Sequence, residues 1–208
     1  MGAEPIDRWL EAIASGSIEP AAEAFASLAA VTGAALVGAV ARRAVTHALE
    51  PAAGRMTEIR AEADDARSTL LQLAGSNVEA FDRFLEILHG TIDGDAERTA
   101  RLLALREALE ATIDGQLQIA RRAVYLMGLA EEVTRAGDAN TAADGLSAAA
   151  ALHAATVAAT ADIEINAFAV AEPERRTELA ETCASLRERA TTLLRAVDDS
   201  FRVASKSS

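Results

Sequence analysis

The sequence predicts an all-α fold, an antiparallel bundle of long helices, and three observations carry that prediction. Half of the 208 residues are apolar while only 3% are aromatic. Alanine dominates the apolar share, and it combines the best helix propensity with a side chain small enough to let helices pack closely. Apolar positions recur at helical spacing along most of the chain, whereas no stretch alternates as a strand would. Prolines 20, 51 and 173 fall where helices begin, the one place where a missing N–H costs nothing. A chain of this length supports one substantial core, so residues 1–208 are read as a single domain.

The stretch from Gly137 to Phe168 organises the rest. A polar loop containing Asn140 is expected to stop at Asp144, placed as an N-cap. A helix of little but alanine and serine follows, ending in the polar run Asp162-Ile-Glu-Ile-Asn166. Asp144 and Asp162 are five turns apart on nearly one face, with Asn166 a turn further on. Polar groups on a helix suited to burial must be paired, hydrated or functional.

Taken in order, Ile6 to Ser15 forms a short helix carrying Trp9, closed by Gly16-Ser17. Pro20 opens a second, strongly apolar helix whose Ala26, Ala30, Gly33, Ala34 and Gly38 make a small-residue face for another backbone, a core seam in the first reading and a close homodimer contact in the second. Pro51 opens a long third helix that stops at His89-Gly90; its stripe of Leu70, Leu73, Phe81, Phe84 and Leu88 also carries Asn77, a polar side chain on an apolar face. From Asp95 to Arg135 either one bent helix or two in line fit, because the pattern weakens near Thr112 to Gly115. Gly137 is expected as the C′ residue. The last helix runs from Pro173 to about Val203, with Glu and Arg mixed on its exposed face.

Composition narrows the function classes. A net charge of −12 argues against nucleic acid and anionic membranes as partners, since both require a basic surface. The uncharged segment Ala24 to Ala41 is the only candidate for a membrane span and is marginal in length and composition. The start of the chain lacks the basic region of a signal peptide. A single cysteine, Cys183, forms no internal disulfide, and there is no Cys/His cluster at metal-ligand spacing; a cytoplasmic protein with no metal and no intrinsic cofactor is expected. No P-loop, GxGxxG, HExxH or GxSxG occurs. His47 and His89 suit helix C-termini, and His153 points away from Asp144.

Pro20 with the following Ala-rich helix and Gly33-Ala-Ala-Leu36, then Glu79-Ala-Phe81, then Gly137 through Asn140 to Asp144, then Asp162-Ile-Glu-Ile-Asn166, resembles in order and spacing the cyclodeaminase/cyclohydrolase family. That family includes the C-terminal domain of formiminotransferase-cyclodeaminase and the methenyltetrahydrofolate cyclohydrolases. The resemblance covers nearly the whole chain. It implies an all-helical homodimer that opens or closes the C–N ring of a one-carbon tetrahydrofolate, releasing ammonia in one case and using water in the other. A tetrahydrofolate derivative is then the substrate, and Pro20, Ala21, Ala22, Phe81, Asn140, Asp162 and Asn166 are the expected ligand-binding positions.

The departures from the family are as informative. Its second helix begins Pro-Gly-Gly-Gly-Ser, where this chain has Pro20-Ala21-Ala22-Glu23-Ala24. Its proton-transferring aspartate lies in Asp-x-x-Ala-Phe, which here reads Asn77-Val-Glu-Ala-Phe81, and an amide does not titrate. Its later Ser-Asp becomes Ala143-Asp144, and Asp162 replaces the first asparagine of its Asn-x-x-x-Asn pair. Two readings follow. In one, the protein is a changed enzyme acting on a small amine- or imine-bearing ligand, with Glu23 or Asp144 supplying the proton transfer that Asn77 cannot. In the other, it is a catalytically silent member kept as a dimeric binding or scaffold protein.

Overall fold

A computed structural model of the chain describes residues 6–16, 21–45, 52–90 and 94–206. It contains six helices, α1 (Ile6–Ala14), α2 (Ala21–Val45), α3 (Ala52–His89), α4 (Asp95–Ala136), α5 (Ala139–Ala167) and α6 (Pro173–Ala204), and no strand among the described residues. α1 ends where Gly16 turns back with φ of +70°, a conformation that only glycine adopts without strain. Pro20, Pro51 and His47 lie outside the described residues.

α5 is the middle of the bundle, packing on α2, α4 and α6, while α2 also packs on α3 and α4. Both α2 and α5 are apolar on nearly all sides, as interior helices are. They run antiparallel and unusually close. A Cβ on Gly33 would come 2.7 Å from Leu152 Cδ2, nearer still to Leu152 Cγ, and 3.2 Å from the Ala148 carbonyl. The small-residue face is thus a core seam: Ala26, Ala30 and Ala34 are buried with Ala148, Ala149, Leu152, Ala155 and Ala159. On its other side, a Cβ on Gly38 would lie 3.6 Å from Ala63 Cβ in α3, ordinary van der Waals contact.

Ion pairs fasten the outer helices. Arg55 of α3 grips Glu132 of α4 with two hydrogen bonds of 2.9 and 3.0 Å, and Arg187 of α6 grips Glu164 of α5 at 2.8 and 3.0 Å while its Nε donates to Thr160 Oγ1. Planar guanidinium forks favour this two-point geometry, though partly exposed pairs each contribute only about 0–1 kcal/mol.

Three sequence expectations change and one left open is settled. The N-cap of α5 is Asp138, not Asp144: its Oδ1 accepts from the Thr141 amide and hydroxyl, both at 2.9 Å. Asp138 with Thr141 three residues on satisfies the first turn locally, so Asn140 lies in that turn and Asp144 in the next. Gly137 is no left-handed C′ residue either. Its φ is −84°, and glycine stands there because a Cβ would press on the Val133 carbonyl at 3.2 Å and on Thr141 Cβ at 3.3 Å. α4 is one continuous helix of 42 residues, the weak stretch carried through by burial of Thr112, Ile113, Gln116 and Leu117. Finally, α2 is not alone in having the length and apolarity of a membrane span, because residues Asn140–Ala167 do as well. The central helices of a soluble bundle meet the same criteria.

Candidate functional site

The antiparallel register of α2 and α5 sorts the candidate residues into two groups at opposite ends of the bundle. At one end Arg43, in the last turn of α2, donates to Asp144. An arginine there is favoured by the helix dipole, and Asp144 completes the pair. Asp144 is half-buried and Asn140, a turn before it, is exposed. Asp144, one of the two carboxylates expected to carry a proton, pairs here with Arg43 and ties these two helix ends together.

Asp162 has the same azimuth on α5 as Asp144, but stands 162 − 144 = 18 residues away, about 27 Å at 1.5 Å per residue. Asn140 and Asp144 consequently do not share a pocket with Asp162 and Asn166 within one chain. Carried in the other direction from the Gly33–Leu152 crossing, the same register brings Asp162 level with the first turn of α2, where Glu23 lies. Glu23 is only 3% exposed, which few glutamates tolerate. Ala22 beside it is exposed, and α2 begins at Ala21.

At the level of Glu23 along the bundle, Asn166 Nδ2 donates to Asp162 Oδ2 at 3.2 Å. Burial pushes the Asp162 carboxyl above the ordinary aspartate range. α3 returns antiparallel along α2 from the Gly38–Ala63 contact, so the segment from Asn77 to Phe81 runs toward this same end. The side chains of Asn77, Phe81 and Ala21, and all of Pro20, lie outside the described residues. Ser76, Glu79 and Arg83 of α3 line a groove of about 390 Å³ with Ala104, Glu107 and Ala111 of α4.

The raised Asp162 carboxyl gives a signed prediction. A carboxyl whose folded-state pKa exceeds its unfolded value binds its proton more tightly when folded, so its charged form lowers stability as pH rises through the folded value. Asp162→Asn keeps an acceptor for Asn166. It is expected to raise the melting temperature at pH 7, with the gain shrinking toward zero below about pH 4, where an ordinary aspartate is itself protonated. A variant that melts below the wild type at pH 7 would contradict burial as the cause.

No group of three or more His, Cys, Asp or Glu side chains suited to a metal occurs among the described residues. Cys183 is buried, and burial raises its thiol pKa, so it is no nucleophile. His153 Nε2 sits 3.4 Å from Thr191 Oγ1 at the α5–α6 seam, and His89 ends α3. One polar residue at the Glu23 end was overlooked in the sequence. Gln116 is fully buried in α4, and its signal was the one that singled out Asn77: an amide on a stripe of Ala120, Ala123, Met127 and Ala130.

Similarity to known proteins agrees with this architecture. A solved structure of formiminotetrahydrofolate cyclodeaminase from Thermotoga maritima superposes with a TM-score of 0.75, covering 88% of each chain at 21% identity; at that identity the likeness speaks for the fold. A methenyltetrahydrofolate cyclohydrolase of Methylorubrum extorquens is 27% identical over 175 residues, covering 80% of both chains. The formiminotransferase-cyclodeaminase family profile matches residues 5–185, nearly nine-tenths of the sequence, and the chain belongs to that family.

Proposed function

We propose that the protein opens or closes a C–N ring in a one-carbon tetrahydrofolate or a closely related cyclic amidine, with Glu23 moving the proton. The carrying observation is the burial of Glu23 in the first turn of α2, level with Asp162 and Asn166 of α5. Support for the substrate class comes from the named activities of the cyclohydrolase and cyclodeaminase relatives.

In the hydrolytic direction, water adds its oxygen to the amidinium carbon and passes a proton to the Glu23 carboxylate. The C–N bond then breaks, its electron pair stays on nitrogen, that nitrogen takes the proton back from Glu23, and the hydroxyl of the adduct gives its proton to solvent as the carbonyl forms. A buried carboxylate suits both transfers, because water exclusion strengthens its interaction with the cationic ring. Asp162 and Asn166 orient the substrate, the carboxyl accepting and the amide donating. Asn77, an amide, does not titrate and takes no part in the proton transfer.

The test follows the absorbance of methenyltetrahydrofolate with and without the protein, and ammonia release from formiminotetrahydrofolate in parallel. Acceleration of either is expected. No acceleration of either at micromolar protein removes the enzymatic reading. The loss of a titrating group at Asn77 and of three glycines at positions 21–23 favours one alternative, a silent family member acting as a dimeric binding protein. Asn77→Asp then restores turnover where the wild type has none. Light scattering at twice the chain mass would accord with the homodimer expected in both readings.

A further inference from the structure

Most buried hydroxyls of this bundle close on their own helix. Thr112, Thr134, Thr156 and Thr160 each donate Oγ1 to the carbonyl four residues earlier, at 2.6 to 3.1 Å, the usual way a helix hides such a group. Gln116 behaves differently. It is 0% exposed, and neither Nε2 nor Oε1 has a hydrogen-bond partner among the described residues. An unsatisfied buried amide lowers stability, so its retention calls for an explanation beyond packing.

Its position supplies one. α4 and α5 are antiparallel and touch at Thr134 and Gly145, where a Cβ on the glycine would come 3.2 Å from Thr134 Cβ. Gln116 lies 134 − 116 = 18 residues before Thr134, five whole turns, and so has the same azimuth toward α5. The same 18 residues from Gly145 reach Ile163, the neighbour of Asp162. α2 runs parallel to α4 beside this seam, Ala26 and Ala30 sharing one cluster with Ile119, Ala120 and Ala123. A turn before Ala26 stands Glu23. Three buried or half-buried polar side chains from three helices therefore arrive at one level of the bundle: Glu23, Gln116 and Asp162.

We propose that Gln116 is a ligand-reading residue of the Glu23–Asp162 site, its amide pairing with the edge of a planar cyclic amide or amidine. This rests on the functional reading above for the place of the site and deepens it by naming the ligand edge. A primary amide offers a donor and an acceptor side by side. An adjacent C=O and N–H in a ring satisfy both at once, whereas a carboxylate or a simple amine satisfies one. The residue sets specificity, and proton transfer stays with Glu23.

The test uses the full-length protein with Gln116→Met, nearly the same shape without the polar atoms, and Gln116→Leu as a second variant. If the amide serves ligand rather than fold, at least one ligand-free variant melts at or above the wild type; both melting clearly below it would make Gln116 structural and overturn the proposal. Thermal shifts are then measured with 5-formyltetrahydrofolate and hypoxanthine, which carry the cyclic amide, and with caffeine, whose rings carry carbonyls but no N–H. The cyclic amides are expected to raise the wild-type melting temperature, caffeine to leave it unmoved, and Gln116→Met to raise the apparent Kd about tenfold or more. Undiminished shifts in Gln116→Met, or no shift from either cyclic amide, overturn the inference. Binding of hypoxanthine but not the folate, lost in Gln116→Met, upholds it while removing the folate reading.

Discussion

Gly33→Leu is expected to destabilise the protein by about 3 kcal/mol, at the upper end of the cost of overpacking a filled core, and to lower Tm by roughly 6–12 °C for a chain of this size. The reason is local. Where α2 crosses α5, even a Cβ would stand 2.7 Å from Leu152 Cδ2 and 3.2 Å from the Ala148 carbonyl. Leu152 and Ala148 are themselves fully buried, so neither has space to retreat into. Gly75, in the interior of α3, gives the control: nothing lies within 4 Å of its would-be Cβ. Gly75→Ala should therefore raise stability by about 0.5–1 kcal/mol through helix propensity alone. Leu152→Ala costs about 2–5 kcal/mol by itself, but combined with Gly33→Leu it should recover part of the loss, because the new side chain fills the space vacated. Strict additivity of the two changes, measured by denaturant unfolding, would mean that the helices do not meet at this point.

That crossing was legible in the sequence, and the physical reason is its locality. A face of Ala26, Ala30, Gly33, Ala34 and Gly38 has no use except to admit another backbone, so the seam, the apolar α2 and α5 and the bundle all follow from side-chain size and period. The helix starts at 95 and 173 were visible for the same reason. The start of α5 was misplaced because two aspartates compete for the cap: Asp138 wins through its bonds to Thr141, and Asp144 is drawn instead to Arg43, 101 residues away in sequence. No local pattern carries that second preference. The same pairing separates Asn140 and Asp144 from Asp162 and Asn166, which a helix face alone had put together, since shared azimuth says nothing about the length between two positions. Gln116 shows the converse. An amide on an apolar stripe is visible in sequence, but it is ordinary until burial shows whether the amide is satisfied.

Glu23→Gln is expected to lower kcat about a hundredfold or more, within the 10²–10⁴ range that a positioned general acid–base group contributes. The substitution leaves size and hydrogen-bonding shape almost unchanged while removing the proton exchange. The loss should therefore fall mainly on kcat, with a smaller rise in KM because the carboxylate also attracts the cationic ring before reaction. Asp144→Asn provides the contrast. Its partner Arg43 lies at the far end of the bundle from Glu23, about 30 Å along α2 (43 − 23 = 20 residues at 1.5 Å). Losing that partly exposed ion pair should cost about 0–1 kcal/mol of stability and leave turnover untouched. The two variants thus separate the two carboxylates that the sequence left as rivals. If turnover survives Glu23→Gln within about twofold and collapses with Asp144→Asn, the chemistry belongs to the Arg43 end. The first turn of α2 then holds its glutamate for the helix dipole alone, because a carboxylate in that turn is stabilised by the free N–H groups whether or not a substrate ever reaches it.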